Sequence, residues 1–226
     1  MKNAIVLLSG GIDSSTTLYI AKSFGYKCSC LIFDYGQRNK REIVSARKVA
    51  KRAGCDFQVL SFKLPWGGSS LLDRNIDIPQ HKKPIIKEIP STYVPARNTI
   101  FLSFALSFAE ASRAEAIFIG AHTQDYSGYP DCRPVYFKAF KKVADSGTKA
   151  GIKGNSIKIF TPLLQKDKTD IIKIGLALKV PYDLTWSCYK GGSRPCGKCD
   201  SCLFRINGFK KAGIEDPIIY GKSKNI

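Results

Sequence analysis

The residues that most constrain this chain come first: Ile5, Val6, Leu7 and Leu8, then Ser9-Gly10-Gly11, then Ile12, Asp13, Ser14, Ser15, Thr16, Thr17 and Leu18. Four consecutive apolar residues are too few for a helix and fit a strand buried on both faces. The glycine pair breaks that strand, and Asp13 or Ser14 offers an N-cap for a helix running to about residue 24. A strand, a glycine turn and a helix start aim several backbone N–H groups at one point, which makes an anion site. Ser9, Ser14, Ser15 and Thr16 add hydroxyl donors, and a side chain at either glycine would hold a phosphate away from the backbone. The loop has no lysine, so it is not G-x-x-x-x-G-K-[ST], and G-x-G-x-x-G is also absent. A tight turn without a ligand is the bland alternative. Two glycines with four hydroxyls favour a nucleotide.

Further strands are expected at residues 28–33, 57–62, 116–120 and 157–160, with helices at 39–53, 98–112, 134–145 and 168–179. This alternation implies an α/β fold: a Rossmann-like, parallel five-stranded sheet with helices on both faces. The apolar helix 98–112 is expected to be buried on most sides, with Arg97 at its edge as a cap partner or an anion contact. Residues 121–133, which include Asp125, Tyr129, Asp131 and Arg133, follow the fourth strand. Ligands of open α/β sheets bind beyond such carboxyl ends. Asp167 caps the last of these helices and leaves Lys168 in its first turn. A cation there opposes the helix dipole by about 0.3–1 kcal/mol, a sign that a phosphate would reverse.

Five prolines and Gly67-Gly68 rule out long regular structure over residues 63–96, a length of connection that is functional or mobile. Trp66, Ser69 and Ser70 could close over a ligand, with ordinary loop packing as the alternative. At 226 residues and 44% hydrophobic content, the chain can bury one core and a small appendage, drawn here as 1–180 and a C-terminal lobe at 181–226. No apolar run reaches the length of a membrane span and no signal peptide precedes the first strand, so a cytoplasmic protein is expected. A net charge of +18 invites nucleic acid, but the cations are scattered and no run exceeds three, which favours a solvated surface.

Of eight cysteines, Cys28, Cys30 and Cys55 read as small buried hydrophobes. Cys188, Cys196, Cys199 and Cys202 form a cluster with two-residue gaps among glycines, the spacing of a structural zinc knuckle. Iron–sulfur ligation is disfavoured because the bacterial pattern adds a cysteine followed by proline, and redox thiols are the remaining alternative. Four cysteine ligands leave no open position on the metal.

Ser9-Gly10-Gly11-Ile12-Asp13-Ser14 resembles the pyrophosphate-binding loop of the ATP pyrophosphatase-type enzymes. Together with Phe33-Asp34-Tyr35-Gly36-Gln37-Arg38, Val94-Pro95-Ala96-Arg97-Asn98, residues 125–133 and the four clustered cysteines, it resembles the 7-cyano-7-deazaguanine synthases of queuosine biosynthesis along nearly the whole chain. The resemblance implies an adenine nucleotide alpha hydrolase-like fold and a carbon–nitrogen ligase. Such an enzyme converts 7-carboxy-7-deazaguanine and ammonia to the nitrile through adenylated carboxylate and amide. It implies ATP binding by residues 8–18, with Asp13 near Mg²⁺ or orienting the loop, and Lys168 and Arg97 offsetting phosphate charge. Asp125, Tyr129, Asp131 and Arg133 would read the substrate. One Zn²⁺ per subunit, Mg²⁺ with ATP, a homodimer, small-molecule partners, and no direct contact with nucleic acid or membrane complete the expectation. His122, Thr123 and Gln124 are assigned no chemistry, and no general base is nominated. Two rival readings are a tRNA-modifying enzyme of the same ATP superfamily and a non-enzymatic zinc module that binds nucleic acid.

Overall fold

The sheet has five parallel strands in the order β3-β2-β1-β4-β5. They are β1 (Lys2–Leu7), β2 (Tyr26–Asp34), β3 (Asp56–Ser61), β4 (Ala116–Phe118) and β5 (Lys158–Phe160). The computed structural model describes residues 2–79, 89–122 and 128–221. β1 lies at the centre, and the chain winds outward from it first toward β3 and then, from β4, toward β5. The strand order therefore reverses between β1 and β4, which leaves a crevice beyond their carboxyl ends.

Alternate residues of the strands feed two separate cores. Ala4, Val6, Cys30 and Ile32 pack against α1 (Ile12–Ser23) and α2 (Arg41–Arg52) through Leu18, Ala21, Ile43 and Val49. Ile5, Leu7, Leu31 and Ile117 face α3 (Arg97–Ala111) and α4 (Pro134–Gly147) through Leu102, Ala105, Phe137 and Phe140. Removing each such Leu, Ile or Val from water contributes about 1.5–3 kcal/mol. The short α5 (Lys149–Ile152) leads to β5. α6 (Lys168–Ala177) then packs on α1 and α7 (Asp200–Lys211) on α6, with Ile20, Ile171, Ile172 and Phe209 in a shared core. No described helix is long and apolar enough to cross a membrane.

Three expectations change. The cap of α1 is Gly11, in extended conformation and with no side-chain cap, rather than Asp13 or Ser14. The chain enters the helix straight from the glycine turn, so Ser14 instead joins Ser9 (Ser9 N to Ser14 Oγ 3.1 Å, Oγ to Oγ 3.0 Å). α3 is buried along one face only: Ser103 and Ser107 are exposed and Phe104 is 39% exposed, because its far side has no further layer to cover it. Within 63–79, Trp66 is 63% exposed whereas Ser69 and Ser70 are buried, so these residues do not close over the crevice. One guanidinium nitrogen of Arg38 organises this segment, donating to the carbonyls of Ser70 (3.0 Å), Asp73 (3.3 Å) and Ile76 (3.0 Å).

Candidate active site

A cavity of about 560 Å³ opens at the crevice beyond β1 and β4. The Ser9–Ser14 stretch forms one wall, Arg97 and Tyr129 another, and Trp186, Tyr189 and Phe204 from the C-terminal lobe a third. The first intrahelical bond of α1 runs from Ser15 N to Gly11 O (3.1 Å), so the preceding amides of Ile12, Asp13 and Ser14 lack intrahelical acceptors. Anion-binding donors are thereby gathered at the cavity wall.

Gly10 has a different reason for being glycine from the one its sequence suggests. Its φ is +80°, and a Cβ there would run into the amide nitrogen of Ala46 and come within 2.5 Å of the Glu42 carbonyl. The residue lets the loop lie directly on the first turns of α2. Gly120, just past β4, makes the matching approach from the other side: its Cβ would lie 2.9 Å from Asp13 C and Ser14 N.

Asp13 and Lys168 meet at the loop. Lys168 Nζ donates to Asp13 Oδ1 at 2.7 Å, and His122 Nε2 lies 3.4 Å from Asp13 Oδ2 and 3.3 Å from Lys168 Nζ. Burial alone would raise the Asp13 carboxyl, but the Lys168 ammonium and His122 hold it well below the usual carboxylate range. Asp167 caps α6 as expected, accepting from Asp170 N at 2.8 Å. The charge that offsets Lys168 at the positive end of α6 is thus supplied by Asp13 within the protein. α7 fixes the lysine stem, since a Cβ on Gly208 would lie 2.7 Å from Lys168 Cγ.

Arg97 faces the cavity and donates to the Tyr35 hydroxyl at 3.2 Å. It is therefore not a cap of α3. Burial opposes its charge, yet Tyr35, Tyr129 and Glu42 around it hold the guanidinium charged. Tyr129 lines the cavity with its hydroxyl 2.7 Å from Thr92 Oγ1. Asp131 and Arg133 do not line it. Asp131 is buried behind the wall, where Oδ2 accepts from Asn98 N at 2.9 Å, and Arg133 is exposed. Left-handed Ala96 gives α3 no side-chain cap, so a carboxylate from the neighbouring loop takes that place. Asp125 lies outside the described residues, as do Thr123 and Gln124. Glu42, which no sequence motif marks, and His122, to which the sequence assigned no chemistry, both line the cavity. An acid at the start of a polar helix and a lone histidine in a loop carry no motif, and only the fold turns them inward.

The four clustered cysteines do converge, with their sulfurs within 4.8 Å of one another. Cys196 and Cys202 Sγ are 4.0 Å apart. Tetrahedral zinc with bonds of ~2.3 Å wants sulfurs about 3.8 Å apart, so the set fits a metal ion. Backbone amides of Cys196, Lys198 and Cys199 point at cysteine sulfurs at 3.3–3.4 Å, which suits negative thiolates. The cluster is tied to the loop. The Cys188 carbonyl accepts from Asn39 Nδ2 (2.6 Å) and Trp186 Nε1 (2.8 Å), and Trp186 N donates to Gly10 O (2.8 Å).

Fold and site together define a parallel α/β protein with a glycine loop and open helix amides at its switch point and a four-cysteine cluster beside it. Residues 3–213 match the family described as queuosine biosynthesis protein QueC, and the chain belongs to that family. A protein of Nostoc sp. (strain PCC 7120) called 7-cyano-7-deazaguanine synthase is 52% identical, with 99% of each chain covered. A protein of Thermoplasma acidophilum with the same name is also 52% identical, covering 98% of this chain and 93% of that one. Among solved structures, a 4-thiouridine synthetase–RNA complex with bound ATP is 16% identical with a TM-score of 0.50, over 92% of this chain and 53% of that one. That likeness shows the fold.

Proposed function

We propose that this protein is a carbon–nitrogen ligase that makes 7-cyano-7-deazaguanine from 7-carboxy-7-deazaguanine, ammonia and two molecules of ATP. The observation that carries the reading is the half-identical match over almost the full chain to proteins of that name. A carboxylate is a poor electrophile. Adenylation makes its oxygen a leaving group that ammonia displaces, and the amide must be activated again before its oxygen can leave.

The Ser9–Ser14 stretch and the free amides of α1 are suited to cradle the phosphates, with residues 8–18 as the ATP segment. Lys168 and Arg97 are proposed to offset charge that grows on the phosphate in the transition state. Asp13 orients the Lys168 ammonium, and any Mg²⁺ that accompanies ATP would find its carboxylate at the loop, where it would supply further charge neutralisation. Tyr129 on the wall is proposed to meet the substrate, and the same role is proposed for Asp125. Asp131 would act behind that wall by holding the start of α3.

Zinc is the ion proposed for the cysteine cluster, in a structural role, because four sulfur ligands leave no coordination position for chemistry. The stretch 181–226 is proposed as a lobe rather than an independent domain, since Phe209 shares its core with α1 and α6. A cytoplasmic setting would keep the thiols reduced, and a homodimer is the proposed assembly, to be checked by light scattering on the eluting protein.

The direct test mixes the protein with Mg-ATP, ammonium and 7-carboxy-7-deazaguanine and identifies products by mass spectrometry. Nitrile together with AMP is expected. Nitrile with ADP would overturn adenylation, and ATP consumption only on addition of tRNA would move the reading to tRNA modification.

A further inference from the structure

The nitrogen of the proposed reaction enters as ammonia with three protons and leaves as a nitrile with none. One proton is lost as ammonia forms the C–N bond and the C–O bond to AMP breaks. A second is lost when the amide oxygen attacks the α-phosphorus of ATP and pyrophosphate departs. The third is lost when the new C–O bond to AMP breaks and C≡N closes. Each step needs an acceptor that releases its proton again near neutral pH. Asp13 is a poor one, because Lys168 and His122 hold its carboxyl far below that range.

Glu42 lies in the first turn of α2, the turn whose backbone packs on Gly10, and its side chain lines the cavity. Oε1 accepts from Gln37 Nε2 at 2.9 Å. Gln37 is itself fixed, accepting from Tyr35 N at 2.8 Å and donating to the Phe33 carbonyl at 3.0 Å. Oε2 accepts no hydrogen bond from the described residues. The carboxylate is thus oriented by one oxygen and open at the other. Arg97 faces it from α3, and Asp34 and Tyr35 face it from the end of β2. Burial pushes the Glu42 carboxyl up to about 7, against the opposing pull of Arg97 and Gln37. Near neutral pH both forms coexist, which is what a recycling base requires.

We propose that Glu42 is the catalytic base that takes the protons from the substrate nitrogen, an assignment that rests on the nitrile-forming reading above.

The test compares wild type with Glu42→Gln and Glu42→Asp in two assays: substrate-dependent exchange of labelled pyrophosphate into ATP, and nitrile formation. Glutamine keeps an oxygen for Gln37, so folding, checked by melting, is expected to hold. Exchange in Glu42→Gln should stay within about threefold of wild type, while nitrile formation falls on the order of 10²–10⁴-fold. At a fixed concentration of free ammonia, the wild-type rate of nitrile formation should rise with pH through about 7. Glu42→Asp should keep a rising limb at a lower rate, and Glu42→Gln should lose it. Wild-type nitrile formation in Glu42→Gln, or loss of exchange in step with nitrile, would overturn the assignment. Absence of exchange in wild type would overturn instead the adenylating reaction on which it rests.

Discussion

The glycine loop and the cysteine cluster are both short and both readable as motifs, yet they are shaped by opposite means. The loop is held by the sheet and by α2: Gly10 lies on Ala46, Gly120 lies on Asp13, and β1 is buried on both faces. It is therefore preformed, as an anion site must be if donors are to cost no reorganisation. The cluster has less apolar packing of its own: among the described residues Ile78 is the one buried side chain that joins Cys188, Cys199 and Cys202, with Trp186, Tyr189 and Tyr220 half-buried against them. Its shape should come from an ion. The two meet at Trp186, whose amide donates to Gly10 and whose ring N–H donates to the Cys188 carbonyl.

If packing holds the loop, Gly10→Ala should be the most damaging change, costing about 4 kcal/mol or more, because α2 must move and φ is left-handed. Gly11→Ala should cost less than about 1 kcal/mol, since its φ is −81° and its Cβ would meet nothing closer than 3.6 Å. Thermal melts of the two variants, with ATP binding beside them, break the comparison if they come out equal.

If an ion holds the cluster, stripping it with a chelator, or Cys202→Ser, should remove about 3–5 kcal/mol and lower Tm by roughly 10 °C. An unchanged melt would show that the cysteines are packed without metal. ATP affinity should fall less than stability does.

Asp13 provides a pH test confined to the loop. Its carboxyl lies below the ordinary value, so the contribution of the Asp13–Lys168 pair is present above about pH 4 and is lost as pH falls toward the folded value. Asp13→Asn should melt lower than wild type at pH 7, and the difference should shrink below pH 4. Asn39→Ala removes one of two donors to the Cys188 carbonyl and should cost about 1 kcal/mol, or some 2–4 °C. A larger loss would mean that Asn39 couples cluster and loop more strongly than Trp186 does.

Much of this was legible along the chain. The apolar run before Ser9 and the strand–helix alternation specified a parallel sheet, and all five strands lie within a few residues of where periodicity put them. The spacing of Cys196, Cys199 and Cys202 specified a cluster because the thiols are neighbours in sequence. Asp131, expected to read the substrate, sits in a short turn next to the cavity with its carboxylate on the start of α3, whose own cap position is a left-handed alanine. Periodicity alone could not show this, since the two partners are 33 residues apart.

The sequence by itself determined the fold class, the glycine loop and the cysteine cluster, because each rests on local spacing and on backbone conformations that particular residues require. The tertiary structure alone decided which side chains stand together. It brought Lys168 to Asp13 across 155 positions, placed His122 beside both, aimed Glu42 at the cavity with Arg97 opposite, and hung the cysteine cluster on the carbonyl of Cys188. Charge, reach and burial at those places depend on distances that only a folded chain possesses.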